Sequence, residues 1–217
     1  MSLKIRRGLI KSVLVTAGPT RERIDPVRFI SNYSTGTFGY EIAREARARG
    51  CAVTLVSGPA HLKPPAGVKF VAVETAEEMK RAVLKNKADC VIMAAAVCDW
   101  RIKNPSDTKI KKDGKRRLLE LAENPDILKE LGRKKRGVLV GFALETGELE
   151  KNALKKLKEK NLDIIVANRL GKEKKLFGSN AIDIFILDHK GEREYHRNKD
   201  KAELAKIILD KVLNVNI

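Results

Sequence analysis

SVLVTA, residues 12–17, then GPTRERIDPVRFISNYST, residues 18–35, then GTFGYEIAREARARG, residues 36–50, is the stretch on which the architecture turns. The first part is a continuous apolar run of strand length, the signature of a strand buried on both faces. The last part has the spacing of a helix that begins near Gly36. In a simple nucleotide-binding strand–helix unit the two are joined by a few glycine-rich residues. Here eighteen residues intervene (35 − 18 + 1). A connection of that length inside a compact domain is usually functional. It leaves the carboxyl end of the first strand, which is where ligands bind in open α/β sheets.

Working outward, residues 52–57, 69–73, 90–97, 138–143 and 163–167 also read as buried strands, with helical segments between them. Thr75 and Glu78 form a capping box ahead of Met79, Ala82 and Val83. Asn124-Pro125 reads as an N-cap followed by a proline at the first helical position. Leu149, Ala153 and Leu157 give the helix of residues 148–160 one buried face, with Lys156 and Lys160 together on a neighbouring one. Residues 181–187 and 192–196 flank Asp188-His-Lys-Gly191 as a hairpin, and Asp200 with Glu203 caps a final helix carrying Ala205, Ile208, Leu209 and Val212 inward. The expected fold is a three-layer, Rossmann-like, doubly wound α/β sheet, mostly parallel, with an antiparallel hairpin at its C-terminal edge. With no repeat, low-complexity segment or shift in composition, residues 1–217 are read as a single domain.

Composition removes several classes of function. No stretch approaches the roughly 18 apolar residues of a membrane span, and MSLKIRRGLI is too short and basic for a secretory signal, so a cytoplasmic protein is expected. Cys51, Cys90 and Cys98 lie in apolar runs without a CxxC pair, and read as core residues. His61, His189 and His196 are far apart and lack metal-ligand spacing, so no metal held by side chains is expected. A net charge of +17 suits polyanions, either nucleic acid or small phosphorylated substrates, although a solvated surface rich in lysine and glutamate would give the same sign. No nucleic-acid motif accompanies it.

Two segments carry candidate chemistry. The loop after the first strand offers Arg21, Arg23 and Arg28 to phosphate or carboxylate, Asn32 as donor and acceptor, and Ser34, Thr35 and the amides near Gly36 and Gly39 to an anion at a helix start. The competing reading is an ordered loop whose arginines pair with Glu22 and Asp25. The second segment, DTKIKKDG at residues 107–114, could clamp a polyphosphate through Lys109, Lys111 and Lys112, or could be a solvated charge run.

Together, GPTRERIDPVRFISNYSTGTFG, LVSGP, AAAVCDW, KIKKDG, NPDIL, VGFALET and NLDIIVAN resemble the phosphopantothenoylcysteine synthetase family, over nearly the whole chain. In many bacteria that family forms the C-terminal half of a fusion with a flavin-dependent decarboxylase. The resemblance implies a ligase that joins cysteine to 4'-phosphopantothenate with CTP, through an acyl cytidylate. It gives Arg28 and Asn32 to the activated carboxyl group, with Ser34, Thr35 and Gly36 beside them in the substrate site. Lys109 becomes the lysine of a mobile flap over the nucleotide phosphates. Nucleotide contacts are implied for Gly18, Met93, Ala94, Ala95, Asp99, Pro125, Asp126, Ile127, Leu128, Phe142, Lys156 and Lys160. It further implies magnesium carried by the nucleotide, no flavin in this chain, a homodimer, and a separate decarboxylase for the next step. Neither nucleic acid nor membrane is an expected partner. The sequence departs from the family pattern at Cys98-Asp99-Trp100, where Ala-Asp-Tyr is more usual, and at Phe177-Gly-Ser-Asn180, where an acidic residue would follow the serine.

Two other classes compete. A nicotinamide-dinucleotide oxidoreductase would want GxGxxG after the first strand and an acidic residue after the second, where Gly58-Pro59 stands. A nucleic-acid binder rests on charge alone, and its affinity would collapse with salt.

Overall fold

The computed structural model describes residues 10–114, 116–169 and 181–215. Five helices and twelve strands are found among them, with eight of the strands in one sheet. Six of these eight run parallel: β1 (Ser12–Ala17), β4 (Ala52–Ser57), β5 (Lys69–Ala72), β6 (Cys90–Met93), β9 (Val138–Glu145) and β10 (Ile164–Arg169). They lie in the order β5-β4-β1-β6-β9-β10, so the strand order reverses between β1 and β6. A crevice is expected at the carboxyl ends on either side of that switch point. The antiparallel pair β11 (Ala181–Asp188) and β12 (Arg193–Asp200) extends the sheet beyond β10.

The alternation of side chains along each strand builds two cores. In β1, Val13, Val15 and Ala17 pack on one face with Tyr40, Ile42, Leu204 and Ile208, which belong to α1 (Thr37–Ala48) and α5 (Lys201–Leu213). Leu14 points the other way, toward Met79, Leu128 and Leu157 of α2 (Ala76–Lys85), α3 (Ile127–Arg133) and α4 (Leu149–Glu159). This is the three-layer, mostly parallel arrangement expected from the continuous apolar runs.

Several local expectations are met and others corrected. The Thr75–Glu78 capping box forms in full, and Asp200 caps α5 by accepting from the Glu203 amide. The strand expected over residues 90–97 stops at Met93, because residues 94–98 leave the sheet plane to bond with the segment following β1. Asn124 does not cap α3: Asp126 does, accepting from the Lys129 amide, while Asn124 turns its Nδ2 to the Cys98 carbonyl at 2.9 Å. The long connection after β1 is not wholly irregular either. It contains the two-stranded hairpin β2 (Arg21–Arg23) and β3 (Phe29–Ser31), and a second hairpin, β7 (Trp100–Ile102) with β8 (Leu121–Glu123), stands beside it. Both are three-residue strands, below the length at which periodicity is readable. Among the described residues no helix is long and apolar enough to cross a membrane.

Candidate active site

The segment leaving β6 is stitched to the one leaving β1 bond by bond. Thr16 Oγ1 accepts from the Ala95 amide at 3.1 Å, Gly18 O from the Ala96 amide at 2.9 Å, and Thr20 Oγ1 from the Cys98 amide at 2.9 Å. The two threonines are fully buried, and each spends its hydroxyl on backbone that has left the ladder. Gly18 and Gly36 both have φ near +75°, and a Cβ on Gly36 would lie 3.2 Å from the Gly18 Cα. The start of α1 is therefore pressed onto the end of β1, a position open only to glycine.

Beyond this seam a cleft of about 470 Å³ opens over the ends of β6 and β9. Ten of the residues expected at a nucleotide line it: Met93, Ala95, Asp99, Pro125, Asp126, Ile127, Leu128, Phe142, Lys156 and Lys160. Gly18 and Ala94, also expected at the nucleotide, are not among its lining residues. Lining residues that the sequence reading did not assign to the site are Val97, Cys98, Trp100, Glu123 and Asn124. The signal for them was present, since each lies within two residues of one that had been picked.

The cleft's charge is concentrated in α4 and the α3 cap. Lys160 Nζ lies 2.9 Å from Asp126 Oδ2. Burial, the largest single influence, would raise the Asp126 carboxyl, but the hydrogen bonds from Lys160 and the Lys129 amide together with the charges of Lys160 and Lys156 outweigh it, and the group is held below the usual range as a carboxylate. Lys156 Nζ donates to the Phe142 carbonyl at 2.8 Å. Burial pushes its ammonium pKa down, and the neighbouring Lys160 charge pushes the same way. Of these two cations, one helical turn apart, Lys160 is paired with Asp126, whereas Lys156 is largely desolvated and bonded to a neutral carbonyl instead of a carboxylate. Cys98, buried in the cleft wall, has its thiol raised chiefly by burial and donates to Thr20 O at 3.5 Å.

The substrate-side residues gather along the neighbouring rim. Asn32 is exposed but anchored, its Nδ2 donating to the carbonyls of Ala96 at 3.3 Å and Val97 at 3.0 Å. Ser34 Oγ accepts from the Gly36 amide at 3.3 Å, Thr35 and Thr37 share a hydroxyl contact at 2.8 Å, and no side chain caps α1. Phe38 of α1 meets Phe142 edge-on at 5.3 Å, tying this rim to the cleft floor.

Arg28 follows the pairing reading rather than the free one. Its guanidinium bonds the buried Asp25 carboxylate, which also accepts from the amides of Val27, Arg28 and Ile110. Arg28 Nη2 in turn donates to the Ile110 carbonyl at 2.8 Å, and the Ser106 amide to Ile24 O at 2.9 Å. The arginine-containing loop and the lysine segment are thereby tied together. Lys109 sits exposed in that segment, outside the cleft lining. The Arg28 charge holds Asp25 far below the usual carboxylate range. The tether therefore contributes stability at neutral pH and loses it only as acid protonates the carboxylate. Asp25→Asn is expected to free residues 106–114, measured as faster tryptic cleavage at Lys109, Lys111 and Lys112 in the folded protein. The departure noted at residues 177–180 lies outside the described residues.

A family model described as the DNA/pantothenate metabolism flavoprotein C-terminal domain matches residues 9–215. The coenzyme A biosynthesis bifunctional protein CoaBC of Bacillus subtilis (strain 168) is 49% identical over 189 residues, covering 84% of this chain and 47% of that protein. The protein of the same name from Borreliella burgdorferi is 40% identical over 205 residues, covering 92% and 51%. The chain thus spans about half the length of these relatives. A crystal structure of the C-terminal domain of CoaBC matches with a TM-score of 0.80 at 41% identity, covering 94% of each chain. With the family model matching residues 9–215 and the fold agreeing over 94% of the chain, the chain belongs to the family of DNA/pantothenate metabolism flavoprotein C-terminal domains.

Proposed function

We propose that this chain is a phosphopantothenate–cysteine ligase acting in coenzyme A biosynthesis. It would join L-cysteine to 4'-phosphopantothenate at the expense of CTP. The observation that carries the reading is Lys156, set beside Lys160 in a cleft at the topological switch and bonded to a neutral carbonyl rather than ion-paired with a carboxylate, so that a triphosphate would supply its counter-charge. The names of the CoaBC relatives supply the pathway.

The chemistry has two steps. A carboxylate oxygen of phosphopantothenate attacks the α-phosphorus of CTP, forming a P–O bond as pyrophosphate leaves. The cysteine amine then attacks the acyl carbon of the cytidylate, forming the amide and losing a proton as CMP departs. Negative charge grows first on phosphate oxygens, where Lys156, Lys160 and the flap lysine Lys109 act as fixed or mobile cations. In the second step charge grows on the acyl oxygen. Asn32, whose Nδ2 bonds the carbonyls of residues 96 and 97, would hold the acyl group in line or turn one of those N–H groups to its oxygen. Arg28 then acts mainly by organising its loop and the lysine segment.

The magnesium ion in this reading rides on the triphosphate itself. Such an ion would neutralise phosphate charge. The same reading includes a homodimer, a single ligase domain, a cytoplasmic location, no flavin in this chain and a separate decarboxylase for the product.

Purified protein incubated with phosphopantothenate, cysteine, magnesium and each nucleoside triphosphate tests the proposal. CTP-dependent release of CMP with formation of the amide is expected, and its absence with every triphosphate would sink it. Lys109→Gln is expected to slow pyrophosphate release by about tenfold to a hundredfold, since it removes one charge-assisted contact. Unchanged release would take the flap lysine out of the mechanism.

A further inference from the structure

We infer that Trp100 is the wall against which the base of the bound nucleotide stacks, which rests on the proposed CTP-dependent activity. The chain contains one tryptophan, and it opens β7 with 48% of its surface exposed. A half-exposed indole at the mouth of a cleft presents a flat apolar face that water solvates poorly. The alternation of β7 decides where that face goes. Trp100 lines the cleft, whereas the next residue, Arg101, lines an adjoining hollow with Glu22 and Glu77.

The position is held by the backbone on both sides. Asp99 O accepts from the Asn124 amide at 2.7 Å and Cys98 O accepts from Asn124 Nδ2 at 2.9 Å, while Trp100 pairs with Glu123 across the hairpin. The ring is thus mounted on a fixed β-bridge.

Charge along the cleft orients the ligand. Lys156 and Lys160 attract the phosphates, whereas Asp99 and Glu123, flanking Trp100 in sequence and across the hairpin, repel them. The neutral end of a nucleoside triphosphate is left for the tryptophan. Among CTP, phosphopantothenate and cysteine, the pyrimidine is the one aromatic ring, and base–aromatic stacking favours such a partner.

The tryptophan reports on its own occupancy. Titration of the wild-type protein with CTP and magnesium is expected to quench its emission, saturating at the concentration where calorimetry shows CTP binding. Trp100→Phe keeps a stacking face and should stay within about threefold of wild-type CTP affinity by calorimetry. Trp100→Ala should lose about fivefold to a hundredfold. Matching circular dichroism and melting for the two variants keep the comparison on binding. Calorimetric CTP binding with no change in emission overturns the inference and leaves the ligase reading standing. So does a Trp100→Ala variant that binds CTP like the wild type. Quenching by phosphopantothenate and not by CTP overturns it as well, as does emission that follows protein concentration rather than nucleotide, the mark of a ring covered by a second copy. Failure of CTP to bind the wild type, by calorimetry and turnover alike, brings down both.

Discussion

Lys156→Met is expected to lose CTP affinity by about tenfold to a hundredfold while melting at a higher temperature than the wild type. The two effects share one cause. In the free protein the ammonium is largely buried, bonded to a neutral carbonyl and one turn from Lys160, so its charge costs the folded state. A methionine of similar length fills the space without that cost, for a gain of about 1 kcal/mol. Bound triphosphate reverses the balance, because the same buried cation then faces phosphate oxygens. The pH dependence identifies the mechanism. A lysine whose folded pKa lies below its unfolded value makes the unfolded state the better proton binder, so wild-type stability gains from this group as pH rises from neutrality toward about 10.4. The advantage of Lys156→Met should therefore shrink over that range. Urea midpoints at several pH values check it, and an advantage that stays constant or grows would show that the desolvated charge is not its source.

Asn32→Ala is expected to separate the two chemical steps. The phosphate-binding lysines are untouched, so pyrophosphate release should proceed near its normal rate. The acyl group loses its polar partner, and amide formation should fall by about a hundredfold or more. Rapid-quench mass spectrometry should then show an accumulating acyl cytidylate. Amide formation at the wild-type rate would remove Asn32 from the reaction. If both steps slow together, its bonds to the 96 and 97 carbonyls matter for shaping the wall rather than for the acyl transfer.

The central sheet was legible because its strands are continuous apolar runs bounded by turn residues and separated by well-capped helices. β1 and β4 fall on the residues expected, and the Thr75 and Asp200 caps form as their spacing implied. The failures lie where long-range bonds override local pattern. The apolar run of residues 90–97 reads as one strand, yet Thr16 and Thr20, far away in sequence, draw its second half out of the ladder. Asn124 has the form of an N-cap but serves the Cys98 carbonyl. The cleft itself was read largely from family resemblance, and ten of the residues it implied line one cleft. It did not disclose that Asp25 would claim Arg28, because a carboxylate three residues away looks like any surface pair until its burial is seen.

The hairpin at the far side of the sheet limits how this protein can associate. Its outer strand, β12, reads REYHRNKD, is largely exposed and carries charges of both signs. A register shift interrupts its pairing with β11 near Asn198, which takes a positive φ. At the opposite margin β5 is only four residues long. Irregular pairing, charge and shortness each discourage a further strand from docking. Neither border invites continuation of the ladder from molecule to molecule, so concentrated solutions should resist fibrillar aggregation, and any pairing of copies must use side-chain surfaces instead of main-chain hydrogen bonds along the sheet.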